Sequence, residues 1–162
     1  MENALRDALN GALCEELDAA LSRILHCVGQ LTDAQVWSRP PAGTNAVGNL
    51  LLHLTGNVTQ VIANNLTGAP DVRDRPAEFA ARDGRPAREL VADLTAAVAR
   101  ARAAIVGASD ERLCELRRVN NLDWTGMQAV VRSVAHFRGH AQEIIHITRT
   151  LLGDAYQFAG PR

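Results

Sequence analysis

Two histidines lie four residues apart near the end of the chain, in the segment HFRGH from His136 to His140. In an α-helix this spacing places the two side chains only about 40° apart around the helix axis. Both positions fall on or beside the apolar stripe of the same segment, which consists of Val130, Phe137, Ile144, Ile147 and Leu151. Two inward-facing imidazoles one turn apart can bind a single ion, as in zinc proteins and in the metal sites of helical bundles.

A third histidine, His53, interrupts the apolar run LLLHL. Its predicted helix carries Ala46, Leu50, Asn57 and Val61 on the same inward face. A buried neutral imidazole needs partners for its ring nitrogens, and an ion shared with His136 and His140 would supply one. Three imidazoles plus a water form the ligand set of a catalytic zinc-type site. The residues alone leave a second interpretation open, in which each histidine is hydrogen-bonded separately.

The two remaining histidines do not fit this site. His146 is predicted to lie away from the inward stripe of its helix, and His26 lies near the end of the first helix, where an interaction with the helix C-terminus explains it. Asn57 and Glu143 are candidate hydrogen-bond acceptors for the second ring nitrogen of a ligand histidine. For Glu143 we also consider a general base acting on a water, with a solvated helix carboxylate as the simpler alternative.

Four long segments with apolar residues three and four positions apart are expected to place these side chains. They run from about Glu2 to Val28, from Thr44 or Asn45 to Leu66, from Pro86 to Val106, and from Thr125 to Gly153. Capping-box patterns begin at Thr32 and Thr125. No run of residues indicates a strand, so the sequence predicts one all-α domain over residues 1–162, a four-helix bundle.

The connections between the long helices differ in their composition. Asp71 to Arg85, with charges of alternating sign, is predicted to be a solvated polar loop. Short helical turns are expected after Thr32 and between Ser109 and Leu116. The segment RRVNNLDW that follows is predicted to be irregular or extended.

Composition excludes several classes of function. The 162 residues carry a net charge of −1, which argues against nucleic acid as a partner. The three cysteines are widely spaced and contain no C-x-x-C pair, so neither a disulfide framework nor a cysteine zinc site is indicated. The first residues do not resemble a signal peptide, and no segment reads as a membrane span. We therefore expect a cytoplasmic protein that does not bind membranes.

Three segments resemble a known family. VWSRPPAGTNAVGNLLLHLTGN, DVRDRPAEF and HFRGHAQEIIHITR are similar to the DinB-like superfamily of damage-inducible proteins, and most of all to its DUF1572 group. The resemblance extends from about Trp37 to Leu152. It implies a bundle of the DinB/YfiT-like metalloenzyme type, in which His53, His136 and His140 hold nickel, zinc or a similar divalent ion. It also implies a homodimer.

The wider superfamily includes enzymes that use low-molecular-weight thiols. The resemblance thus suggests a metal-dependent thiol transferase or hydrolase acting on a small molecule, with a thiol as a second candidate cofactor. The alternatives are a non-enzymatic, metal-stabilised bundle that serves as a stress-response binding module, and a dimeric scaffold with a metal-free histidine cluster. Two positions depart from the family pattern, since Glu143 is commonly Gln and Arg138-Gly139 replaces a small or aromatic pair. No residue is assigned to catalysis.

Overall fold

The computed structural model describes residues 4–39, 43–119 and 121–159, and helices dominate this part of the chain. The α-helices are α1 (Ala4–Val28), α2 (Asp33–Trp37), α3 (Val47–Asn57), α4 (Asn65–Thr67), α5 (Arg75–Ala80), α6 (Ala87–Gly107), α7 (Asp110–Cys114) and α8 (Gly126–Leu152). A π-helical segment, Val58–Asn64, joins α3 to α4. The strands are β1 (Leu116–Val119) and β2 (Leu122–Thr125), and a 3₁₀ turn, Gly153–Ala155, follows α8.

Four long helical rods form the bundle. Helix α1 packs against α6 and α8, and α3 with its π-helical continuation packs against the same two helices. Their apolar faces meet in one core, whose fully buried members include Leu17, Ile24, Leu50, Leu54, Leu94, Ile105, Phe137 and Ile144. The predicted all-α four-helix bundle is therefore confirmed. The predicted start of the first helix at Glu2 lies outside the described residues.

Local capping interactions begin several of these helices. The two predicted capping boxes are present, one formed by Thr32 and Gln35 and the other by Thr125 and Gln128. In each, the threonine hydroxyl accepts the backbone N–H of the glutamine, and the glutamine side chain accepts the backbone N–H of the threonine. The start of α3 differs from its prediction at Thr44 or Asn45. Its N-cap is Ala46, whose backbone N–H donates to Oδ1 of Asn49 at 3.2 Å.

The segment from Asp71 to Arg85 is largely exposed, as its charges suggested, but it is not a simple loop. It contains helix α5, which is capped by the Asp74 carboxylate accepting the Ala77 backbone N–H at 3.0 Å. The prediction missed two of the segment's charged side chains, Arg73 and Glu78, which neutralise each other and lie buried against α3. The alternating charges therefore include one inward ion pair.

The connection RRVNNLDW forms part of a β-hairpin, which the sequence predicted only as irregular or extended. Strands β1 and β2 pair antiparallel, with Leu116 opposite Thr125 and Val119 opposite Leu122. Asn121 in the turn has φ of 64°, a left-handed conformation that asparagine tolerates. The expectation of no strand thus fails locally, because a hairpin of two four-residue strands carries too short a pattern to be recognised. The hairpin brings Trp124 close to α8.

The π-helical segment is a second feature that the sequence did not reveal. It widens the helix directly after Asn57, and such segments occur often at functional sites. It places Val61 beside the hairpin residues Val119 and Trp124. Among the described residues, no helix combines the length and apolar character needed to cross a membrane.

Candidate metal centre

His53, His136 and His140 meet at one point between α3 and α8. We call these three residues the histidine triad. One ring nitrogen from each of them lies within 4.8 Å of a ring nitrogen of each of the other two. The ring centroids are 4.4 to 5.1 Å apart, and each pair of rings is nearly perpendicular. The sequence therefore selected three side chains that the fold brings together.

His53 is the buried member of the triad, with an exposed fraction of only 4%. Its ring contacts Phe79 of α5 at a centroid distance of 4.9 Å. Its Nε2 lies 2.9 Å from Nε2 of His136. His136 and His140 keep more accessible surface than His53, so the cluster is closed on the α3 side and more open on the α8 side.

A buried ion pair supports the other edge of the His53 ring. Nδ1 of His53 lies 3.0 Å from Oε2 of Glu78 and 3.0 Å from Nη2 of Arg73. Arg73 in turn donates to both oxygens of that carboxylate, through Nε at 2.6 Å and Nη2 at 2.8 Å. Gln60, in the π-helical segment, accepts a further hydrogen bond from Nη1 of Arg73 at 2.9 Å.

Each tautomer of His53 has partners in this arrangement. With the proton on Nδ1, the ring donates to Glu78, and the lone pair of Nε2 faces the triad and can bind a metal. With the proton on Nε2, the ring donates to His136, and Nδ1 accepts from Arg73. The pair of Arg73 and Glu78 thus accommodates both a hydrogen-bonded and a metal-binding form of His53.

Gly56, one turn after His53, makes room for this ion pair. A Cβ atom at this position would overlap the Glu78 carboxylate and would lie 2.7 Å from Nε of Arg73. Because α3 carries only a hydrogen there, the two charged groups can reach His53 across the helix surface.

The second ring nitrogen of His140 also has a carboxylate partner. Nδ1 of His140 lies 2.7 Å from Oε2 of Glu143, which confirms Glu143 as a hydrogen-bond acceptor, although 40% of its side chain is exposed. The same expectation for Asn57 was wrong. Its Oδ1 accepts instead from the hydroxyl of Ser133 at 2.7 Å, because the π-helical segment starts there and α8 faces it directly.

The surroundings keep two of the rings neutral. Burial lowers the pKa of His53, and the neighbouring charge of Arg73 lowers it further, against the opposing effect of Glu78. Burial also lowers the pKa of His136 to about 4, with the charges of His140, His53, Arg73 and Arg75 contributing in the same direction. Neutral imidazole is the form that binds metals, so both rings are ready as ligands at neutral pH.

The donor set fits a divalent transition metal. Nitrogen ligands around one tetrahedral zinc ion lie about 3.3 Å apart, and the separations here, from 2.9 Å to at most 4.8 Å, bracket that value. Two of the three histidines direct their second nitrogen to a carboxylate, the arrangement that orients histidine ligands in zinc proteins. A set of imidazoles suits zinc or nickel better than magnesium or calcium.

The two histidines excluded from the site lie elsewhere. His146 is exposed, as predicted. His26 lies at the end of α1, where its Nε2 contacts the backbone oxygen of Gln157 at 2.7 Å and the side chain of Gln30. It therefore binds the C-terminal tail rather than only its own helix end.

Sequence reasoning missed Arg73 and Glu78, the residues that hold His53. Asp74 followed by Pro76 is a helix-start pattern that could have identified α5. Such a helix could then have been expected to pack over His53 and shield it from solvent. The direction in which Glu78 faces depends on the tertiary packing of α5 on α3.

The chain shares its fold with a protein of known structure. A conserved protein of a locus from Enterococcus faecalis, known from its crystal structure, has a similar fold with a TM-score of 0.72. The two sequences are 19% identical, and the similarity covers 89% of this chain and 97% of the other. No curated protein sequence matches this chain significantly.

The family profile described as "Protein of unknown function (DUF1572)" matches residues 11–160, nearly the whole chain and well beyond the segments singled out above. The match includes all three histidines and both residues of the ion pair. The protein therefore belongs to DUF1572, a DinB-like family.

Proposed function

We propose that this protein binds one divalent metal ion, zinc or nickel, through the histidine triad and uses it in chemistry on a small molecule. The observation that carries the proposal is the convergence of three ring nitrogens within 4.8 Å on two packed helices. When bound, such an ion supplies Lewis acidity, which lowers the pKa of a thiol or water that it coordinates. The reaction class is that of a thiol-dependent S-transferase or a hydrolase.

The residues around the triad favour an open site. Glu78 and Arg73 fix His53 from the buried side, and Glu143 fixes His140. On the accessible side, His136 borders a cavity of about 240 Å³. A structural zinc site is usually closed by four protein ligands, whereas three histidines next to a cavity leave room for an exogenous ligand.

A non-enzymatic, metal-stabilised bundle is the second candidate. The observation in its favour is that a metal would join α3 to α8, two helices far apart in the sequence, through His53 and His136. The two functions differ in how stability responds to metal removal. A purely structural ion should raise the melting temperature strongly and support no turnover. An ion used in chemistry, bound to a bundle with this large apolar core, should change the melting temperature less.

The first experiment measures bound metal by mass spectrometry in protein purified without a histidine tag. The comparison is between the natural protein, His140→Ala, and His146→Ala as a matched control with an exposed histidine on the same helix. We expect about one equivalent of metal in the natural protein and the control, and a loss in His140→Ala. A natural protein without metal after loading with zinc or nickel would overturn the proposal.

The homodimer and the cytoplasmic location stay predictions.

A further inference from the structure

The cavity beside His136 has an unusual set of lining residues. They are Asn57, Val61, Trp124, Arg132, Ser133 and His136. Its volume is about 240 Å³. Among these residues the only permanently charged side chain is that of Arg132, and no carboxylate is present. The lining therefore favours a small ligand that carries negative charge.

Arg132 is available to such a ligand. It lies one turn before His136 on α8, and its guanidinium carbon lies 5.1 Å from the centroid of the Trp124 ring. Stacking on an aromatic face uses the plane of the guanidinium and leaves its N–H groups free at the edge. Within the part of the chain that the structure describes, no acidic side chain forms an ion pair with Arg132.

Asn57 adds a second donor to the same cavity. The hydroxyl of Ser133 donates to its Oδ1 at 2.7 Å, which fixes the orientation of the amide. The NH₂ group then has no acceptor among the described residues. A cavity with two sets of N–H donors and no acidic acceptor is suited to an oxyanion.

The nearby carboxylates do not cancel this positive charge. The charge of Glu78 is balanced by Arg73. Glu143 accepts from His140 and keeps its negative charge. Arg75, stacked on Phe79 at 5.1 Å, adds a further cation whose charge reaches His136. Around the triad, the cations Arg73, Arg75 and Arg132 thus outnumber the carboxylates Glu78 and Glu143.

We infer that the substrate or co-substrate of this site is a small carboxylate whose anionic end is held by Arg132 and Asn57 while its reacting end faces the histidine triad. This inference rests on the proposed metal site. It adds a substrate class and two recognition residues that the triad alone does not specify. Trp124, from the hairpin, holds Arg132 in place and forms the apolar wall.

The test uses cobalt-loaded protein and two thiols of equal size, 3-mercaptopropionate and its uncharged amide, 3-mercaptopropionamide. Binding is followed by the thiolate-to-cobalt absorption band. We expect the natural protein to bind the carboxylate roughly tenfold more tightly than the amide, since one charge-assisted hydrogen bond contributes about that factor. Arg132→Gln should abolish the preference, and Arg132→Lys should retain most of it.

Arg149→Gln is the matched control. Arg149 is also an exposed arginine of α8 stacked over an aromatic ring, that of Tyr156 at 5.9 Å, but it lies about 25 Å further along the helix. Its substitution should leave the preference unchanged.

The outcomes separate the two proposals. No uptake of cobalt, zinc or nickel would overturn the proposed metal site and the inference with it. Uptake with equal affinity for both thiols, with no thiol binding, or with a preference that survives in Arg132→Gln would overturn the inference and leave the metal site standing.

Discussion

The guanidinium of Arg73 and the carboxylate of Glu78 form a two-point ion pair directly against the ring of His53. The exposed fractions of the two side chains are only 6% and 10%. Both charges are therefore largely removed from water, and each is stabilised chiefly by the other. The pair also fixes the edge of the one triad member that is buried.

Arg73→Met should destabilise the metal-free protein by about 3–5 kcal/mol, because it leaves the Glu78 carboxylate buried without its cation. Adding Glu78→Gln should recover part of this loss, since the remaining side chain is uncharged. Urea denaturation of the two single variants and the double variant measures the coupling. Arg75→Met, which removes an exposed arginine from α5, is the control and should change stability little. Additive effects of the two substitutions would show that the pair is not coupled.

Glu78→Gln should weaken metal binding by roughly 10- to 100-fold, because the carboxylate that orients His53 and increases its basicity is lost. Glu143→Gln should have a smaller effect. Its carboxylate is 40% exposed, so water screens its charge and the ring of His140 gains less basicity from it than His53 gains from the buried Glu78. Competition with a chromophoric chelator measures both affinities. An equal loss in both variants would show that burial of the carboxylate does not matter.

Gly56→Ala should lower metal affinity without the gain in helix stability that such a change usually brings. The new methyl group would overlap the Glu78 carboxylate, which Arg73 holds in place. Gly139→Ala is the matched control, because this glycine lies in α8 between His136 and His140 and a Cβ there meets nothing within 4 Å. The control should stabilise the helix by about 1 kcal/mol.

The test is to measure the metal affinity and the denaturation midpoint of both glycine variants. A Gly56→Ala protein that is more stable and binds metal normally would show that Glu78 can move away without consequence.

Helical periodicity predicted the part of the site that lies on long helices. His136 and His140 are on one face of α8 because of their spacing, and His53 is inward because of the leucines around it. A period of 3.6 residues fixes the direction of a side chain wherever the helix is regular. These three positions could therefore be selected without coordinates.

The same reasoning did not reach the residues that act on the triad from irregular segments. Glu78 and Arg73 lie on or beside a six-residue helix, too short for periodicity to show its buried face. Trp124 is placed by a hairpin whose pairing depends on a turn. The hydrogen bond of Asn57 with Ser133 lies where the helix becomes π-helical, and the hydrophobic pattern does not report that change.

Acid should destabilise the metal-free protein partly through His136. Its pKa is about 4 in the folded protein, chiefly because of burial, and returns to about 6.5 on unfolding. The unfolded chain therefore takes up the proton first as the pH falls. The stability that the neutral ring contributes is complete above about pH 6.5 and is lost progressively down to about pH 4. His53, whose pKa is also lowered, acts in the same direction.

Melting temperatures of the metal-free protein between pH 7.5 and 4.5 test this origin of the acid sensitivity. Carboxylates contribute to acid unfolding in every variant, so the comparison between variants carries the information. His136→Asn should show a shallower decline than the natural protein, whereas His146→Asn, which changes an exposed histidine of the same helix, should follow the natural curve. Parallel curves for all three proteins would mean that the His136 ring titrates alike in the folded and unfolded chains. In that case the triad would be more hydrated than its burial indicates.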